Sequence, residues 1–179
     1  MLEIIIPGRE HYDEASMEFI QTQDKCLRLE HSLVSISKWE SKWNKPFLSN
    51  SEMTVEELID YIRCMTITPN VDDDVYKRVT EQNIREINEY IDSPMTATTF
   101  NNTNNTPSRE IITSEIIYYW MITFNIPFEC EKWHLNRLLT LIKVCNVKNN
   151  PPKKMGKQEL LNRNKMLNAE RKKRLNTSG

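Results

Sequence analysis

Cys130 and His134 stand four residues apart in a stretch whose pattern predicts a helix. That spacing puts a thiol and an imidazole on one face, where they could share a metal ion or act as nucleophile and base. Further metal ligands would have to come from isolated residues such as His31 or Cys64, and no orienting acid occupies an obvious position on the same helix. Both residues therefore read as satisfied core groups, with His134 at the boundary beside Trp133. Asp72, Asp73 and Asp74 are a second candidate, but the stretch lacks the glycine and the distal glutamate of a calcium loop. Carboxylates at that point suit the start of a helix, where they offset its positive end. With glycine only at positions 8, 156 and 179, the chain has no material for a phosphate-cradling loop, and it contains no G-x-x-x-x-G-K, G-x-S-x-G or H-E-x-x-H. Neither catalytic residues, nor a cofactor, nor a metal is expected.

Two other patterns could hold a partner. Trp39 and Trp43 lie one helical turn apart, so their rings cover one face, either packed into the core or presented to a binding partner. Arg171, Lys172, Lys173 and Arg174 form a basic run in a tail without aromatic residues. Base stacking is unavailable there, any nucleic-acid contact would be to phosphate only, and nucleic acid is not the expected partner. A solvated basic helix touching the protein's own acidic surface is the alternative.

The elements that would position these residues follow from periodicity. Leu2, Ile4 and Ile6 alternate with Glu3 and Ile5 as a strand over 2–6, too apolar to be left as a bare edge, closed by Pro7-Gly8. Glu18–Gln21 and Leu27–Leu29 supply further strands of a small meander. After Ser32 the spacing turns helical through Leu33, Ile36, Trp39 and Trp43, with Pro46 as the stop. Thr54 and Glu57 form a capping box for a helix with an apolar face of Val55, Leu58, Ile59, Ile62 and Met65. Val75, Val79, Ile84, Ile87 and Ile91 continue one helical stripe as far as Ser93-Pro94. Residues 95–107 read as a hairpin arm or long loop, with a returning strand at 110–112. A helix capped by Thr113 or Ser114 and ended by Pro127, and another over about 129–145, carry the densest apolar content, and Ile117, Trp120, Leu138, Leu139 and Ile142 are the expected core.

The formal net charge of −1 hides a division along the chain. From Lys148 onward there are ten basic and two acidic residues, which leaves 14 basic and 23 acidic in the remainder. The organisation expected is an acidic folded body over 1–147, a proline-containing linker over 148–155 with Pro151-Pro152, and a basic tail over 156–179 that is helical or partly disordered. The fold class is α+β: a small N-terminal β element on a mainly helical core, with a basic C-terminal helical tail. An apolar content of 39% is enough for a core. No apolar run reaches the ~18 residues of a membrane span, and no secretory leader is recognisable, so a reducing cytosol with unpaired cysteines is expected. The two Asn-x-Thr patterns over 101–106 then read as loop.

Several stretches together carry a family resemblance: LEIIIPG at the N-terminus, LEHSLVSISKWESKW with KPF, SEIIYYWMITFNIPFECEKWHLNRLLTLIKVC, the PPKK linker and the basic tail ending LNTSG. The chain resembles proteins of the phage tail-morphogenesis gene cluster that are taken to be tail assembly chaperones. The resemblance implies a protein without enzyme activity that binds the helical tape measure protein in the host bacterial cytoplasm and keeps it soluble. It would leave as tail tube protein polymerises around the client; tail tube protein and self-association are the further contacts implied. The competing classes are a structural virion component, such as a tail-completion or head-to-tail joining protein, and a nucleic-acid-binding regulator. No membrane partner is expected.

Overall fold

A computed structural model describes residues 1–13, 17–49, 53–100, 111–149 and 157–175, with side chains throughout except at 11–13, 18, 20 and 157–160. The chain divides into two compact units, Met1–Cys145 and Asn146–Gly179. The first is an α+β body in which a small N-terminal β element lies on a helical core, as the periodicity predicts.

Strand β1 (Leu2–Ile6) pairs antiparallel with β4 (Lys25–Leu29), and β2 (Glu10–Asp13) with β3 (Glu18–Gln21). The pairing is a hairpin nested between the ends of a longer one, and not the expected meander. Strand β2, sequence EHYD, has no apolar alternation to announce it. At the join, Thr22 exchanges hydrogen bonds with Arg9, and the Gly8 N–H donates to Asp24 Oδ1 at 2.7 Å. A Cβ on residue 8 would stand 2.0 Å from the Thr22 carbonyl oxygen, so only glycine fits there. Ile4, Ile6, Leu27 and Leu29 face the core, while Glu3, Ile5, Cys26 and Arg28 face away from it.

Helix α1 (Leu33–Trp43) starts at a Ser32–Ser35 capping box and ends on Asn44 in the left-handed conformation, two residues before the proline expected to stop it. Helix α2 (Val55–Met65) starts at the expected Thr54–Glu57 capping box. Its buried face is rotated from the expected one: Val55 is 78% exposed, whereas Tyr61, Ile62 and Met65 are buried together with Glu57 and Asp60. The stripe from Val75 to Ile91 is two helices, α3 (Asp73–Lys77) and α4 (Glu81–Asp92). Thr80 separates them, its hydroxyl accepting from the Asn83 N–H while Asn83 Oδ1 accepts from the Thr80 N–H. Asp72 caps α3, so the acidic run serves a helix start. Residues 95–100 and 111–112 are irregular and form no hairpin arm, and the rest of that expected arm lies outside the described residues.

Helix α5 (Ser114–Thr123) is followed by a short 3-10 helix (Phe128–Lys132) and α6 (Leu135–Asn149). The helix expected over 129–145 is therefore interrupted, at an extended Trp133 and a β-bridge between His134 and Ser32. Of the expected core residues, Ile117, Leu138 and Ile142 are buried, while Trp120 and Leu139 are half-buried at its border. Helix α6 continues through Lys148 and Asn149, so these two belong to a helix and not to the expected linker. In the second unit, α7 (Lys157–Leu175) has no apolar stripe, and its residues from Leu161 onward are exposed.

One buried carboxylate ties distant parts of the body together. Glu40 of α1 accepts from the Phe47 N–H through Oε1 and from the Ser114 N–H through Oε2, each at 2.8 Å. Thr113 makes no side-chain cap bond at the start of α5, so Glu40 supplies that acceptor from 74 residues away in sequence. Glu40→Ala would leave two buried N–H groups unpaired and is expected to lower stability by about 2 to 4 kcal/mol in urea denaturation, with Glu40→Gln, which keeps one acceptor, losing less. Equal, sub-kilocalorie losses for both variants would mean that Glu40 is not this link.

Candidate partner-binding site

Trp39 and Trp43 are brought together as their spacing requires, with ring centroids 6.2 Å apart and planes 29° from parallel. Their roles differ. Trp39 is fully buried, meets Phe47 edge-on at 5.3 Å and donates from Nε1 to the Glu57 carbonyl at 2.9 Å. Assigning it to a partner surface is corrected by this burial: its apolar area and its one donor are both satisfied internally. Trp43 is half-buried and donates from Nε1 to Asp60 Oδ2 at 2.9 Å. It lines an open groove of about 420 Å³ with Lys42, Val55, Glu56, Ile59, Asp60 and Arg63. Both indoles thus join α1 to α2, alongside Lys42 on Asp60 and Lys45 on Glu57. The Lys45 ammonium, with the Thr54 backbone N–H, holds the Glu57 carboxyl below the usual range.

Arg171, Lys172, Lys173 and Arg174 lie near the C-terminal end of α7, all exposed. Lys172, Lys173 and Arg174 occupy the last turn, where cations offset the negative end of the helix dipole, and this gives the run a structural role of its own.

His31 and His134 belong to a buried chain of polar groups. The His31 Nδ1 lies 2.5 Å from the Tyr61 hydroxyl, and the His31 and His134 rings are 5.1 Å apart, edge to face. His134 Nδ1 accepts from the Asn136 N–H at 3.3 Å, so Nε2 carries the proton and donates to the Tyr90 carbonyl at 3.0 Å. The Tyr90 hydroxyl donates to Glu30 Oε1 at 2.5 Å, and Glu30 Oε2 lies 2.9 Å from the Met1 amine. Burial pushes His31 down to about 3, with His134 acting in the same direction, and burial also lowers His134. The Tyr61 hydroxyl is raised by burial. His31, His134 and Tyr61 are held in their neutral forms at neutral pH, and the set fixes the junctions of β4–α1 and α6 against α2 and α4. His134 is therefore a buried group and not a boundary residue. Among the described residues no three His, Cys, Asp or Glu side chains gather closely enough to hold a metal ion.

The surface that sequence reasoning missed is on α5. Ile117 and Met121 face the core, while Tyr119 (65% exposed) and Ile122 (61% exposed) stand on the outer face one turn apart. Phe128 is exposed beside Tyr118, with ring centroids 6.4 Å apart, and the Tyr118 hydroxyl donates to Glu131. A helix that is apolar on every side is ordinarily covered on every side. Here Tyr119 and Ile122 stay exposed, between Glu115 and Thr123, a short aromatic and aliphatic strip of the kind that receives a partner. Uniform apolarity was the available signal, but it marks a buried helix and a binding helix alike.

Together these features define an α+β body with an apolar helical strip on its surface and a separate basic helix. Comparison of the chain with protein-family models, with curated proteins and with solved structures finds no match. Among the described residues no helix is long and apolar enough to cross a membrane.

Proposed function

We propose that the protein is a phage tail assembly chaperone that binds the tape measure protein during tail morphogenesis and holds it in solution in the host cytoplasm. The identity of the client rests on the resemblance in LEHSLVSISKWESKW and WHLNRLLTLI. The structural observation that supports a binding role is the open outer face of α5 with Tyr119, Ile122 and the neighbouring Phe128. A helical client carries an apolar stripe that must be covered until it is packaged, and a rigid helix face with aromatic side chains covers such a stripe at little entropic cost. The acidic body keeps the complex dispersed by net charge. The role needs no catalytic centre.

The α5 strip replaces the Trp39/Trp43 face as the client surface. Replacing Tyr119 and Ile122 together, Tyr119→Lys with Ile122→Glu, is expected to reduce tape measure protein co-purified with this chain by about tenfold or more. Because both side chains are exposed, the fold should lose no more than about 0.5 kcal/mol per site. Undiminished co-purification would remove α5 from the interface. Detection of the chain in purified virions by mass spectrometry would instead favour a structural component, since a chaperone leaves before the particle is finished.

A further inference from the structure

Among the described residues strand β1 is paired on one side only, and its other edge has a defined pattern. The Arg28 carbonyl accepts from the Ile67 N–H at 2.8 Å and the Arg28 N–H donates to Thr68 Oγ1 at 2.8 Å, so the backbone of Arg28 points away from β1. Its register partner Glu3 must then turn its own N–H and C=O outward, as must Ile5 two residues on. The Ile5 carbonyl does so and accepts from Asn83 Nδ2 at 3.1 Å. No hydrogen bond within the described residues uses the Glu3 N–H, the Glu3 carbonyl or the Ile5 N–H. Beside this edge runs a cleft of about 460 Å³, with Glu3, Ile5 and Pro7 on one wall and Gln82, Asn83 and Glu86 of α4 on the other. Ile5 is 62% exposed, and among the described residues no cation pairs with Glu3 or Glu86.

We propose that the outer edge of β1 is a strand-addition site for an extended segment of a partner polypeptide that carries a lysine or arginine two residues from an apolar side chain. The Glu3 N–H, the Glu3 carbonyl and the Ile5 N–H set the backbone pairing, while the Ile5 carbonyl stays on Asn83. On the exposed face, the residue opposite Glu3 is cationic and the one opposite Ile5 is apolar. The intervening residue faces the polar wall of α4, where Glu86 favours a second positive charge. A second copy of the chain is disfavoured, because pairing β1 with itself would gather the Glu3 and Glu86 carboxylates of both copies. The site shares no residue with the α5 strip and stands or falls independently of the client reading.

The test titrates the 179-residue chain with a capped peptide, Thr-Lys-Thr-Val-Thr-Lys-Thr, followed by fluorescence anisotropy and amide NMR shifts. Saturable binding at low salt is expected, with shifts at Glu3, Ile5 and Asn83. Affinity should fall by about tenfold or more when alternate peptide amides are N-methylated, and likewise for Ile5→Pro, which removes the outward N–H together with the exposed Ile5 side chain. Glu3→Lys, an exposed side-chain change that leaves the backbone groups of the strand in place, should reverse the preference toward the peptide with Glu in place of Lys. Absence of binding, equal affinity for the Lys and Glu peptides, or indifference to both N-methylation and Glu3→Lys would overturn the proposal.

Discussion

Trp39→Ala is expected to lower the stability of the body by about 3 to 5 kcal/mol, enough to threaten folding of a domain whose whole stability is of the order of 5 to 15. The substitution removes the largest fully buried side chain, opens a cavity against Phe47 and deprives α2 of the donor on the Glu57 carbonyl. Trp43→Ala should cost less, since that ring is half-buried and faces an open groove, although it leaves Asp60 without one of its donors. Urea denaturation followed by far-ultraviolet circular dichroism separates the two. Equal losses of under about 1 kcal/mol would place Trp39 outside the core.

Acid should destabilise the protein well before its carboxylates titrate. His31 titrates at about 3 in the folded chain against an ordinary value of 6.5, and His134 is lowered too. Between those values the unfolded chain takes up a proton that the folded chain refuses, so stability is fully present above pH 6.5 and falls as the pH drops below it. One such histidine contributes a slope that approaches about 1.4 kcal/mol per pH unit below the unfolded value, so His31 alone accounts for roughly 2 kcal/mol between pH 6.5 and 4.5. His134 adds to the loss in the same direction. The groups facing the pair are Tyr61 and Ser35 on one side and Tyr90, Glu30 and the Met1 amine on the other. Glu57, held below its ordinary range, loses its contribution only at lower pH. His31→Gln should flatten the upper part of the profile, and a flat profile in the unsubstituted protein between pH 6.5 and 5 would show that the imidazoles are not held neutral.

Much of the architecture was legible where a single local rule decides. The alternation in LEIII, the serine before Leu33 and the Thr54–Glu57 pair each specify one element without help from the rest of the chain. Errors arose where tertiary partners override the pattern. The face of α2 is turned because Glu57 and Asp60 are needed inward to receive Lys45, Lys42 and the Trp43 indole, so Val55 is left outside. The break before α4 uses asparagine in place of the glutamate or glutamine of a common capping box, and the stripe of isoleucines and valines runs through it unbroken. The nested hairpin depends on β2, whose polar residues carry no period. For the proposed client surface, spacing placed both tryptophans on one face correctly, but only packing shows that Trp39 is enclosed, and only the fold reveals that Tyr119 and Ile122 of α5 stay exposed.

The central claim is tested most directly by expressing the phage tape measure protein in bacteria with and without this chain and measuring the fraction that remains in the supernatant after centrifugation. A chaperone role predicts that the client is largely insoluble alone, becomes soluble on co-expression, co-purifies with this chain, and returns to the pellet when Tyr119→Lys and Ile122→Glu are combined. An unchanged soluble fraction with no co-purification would contradict it.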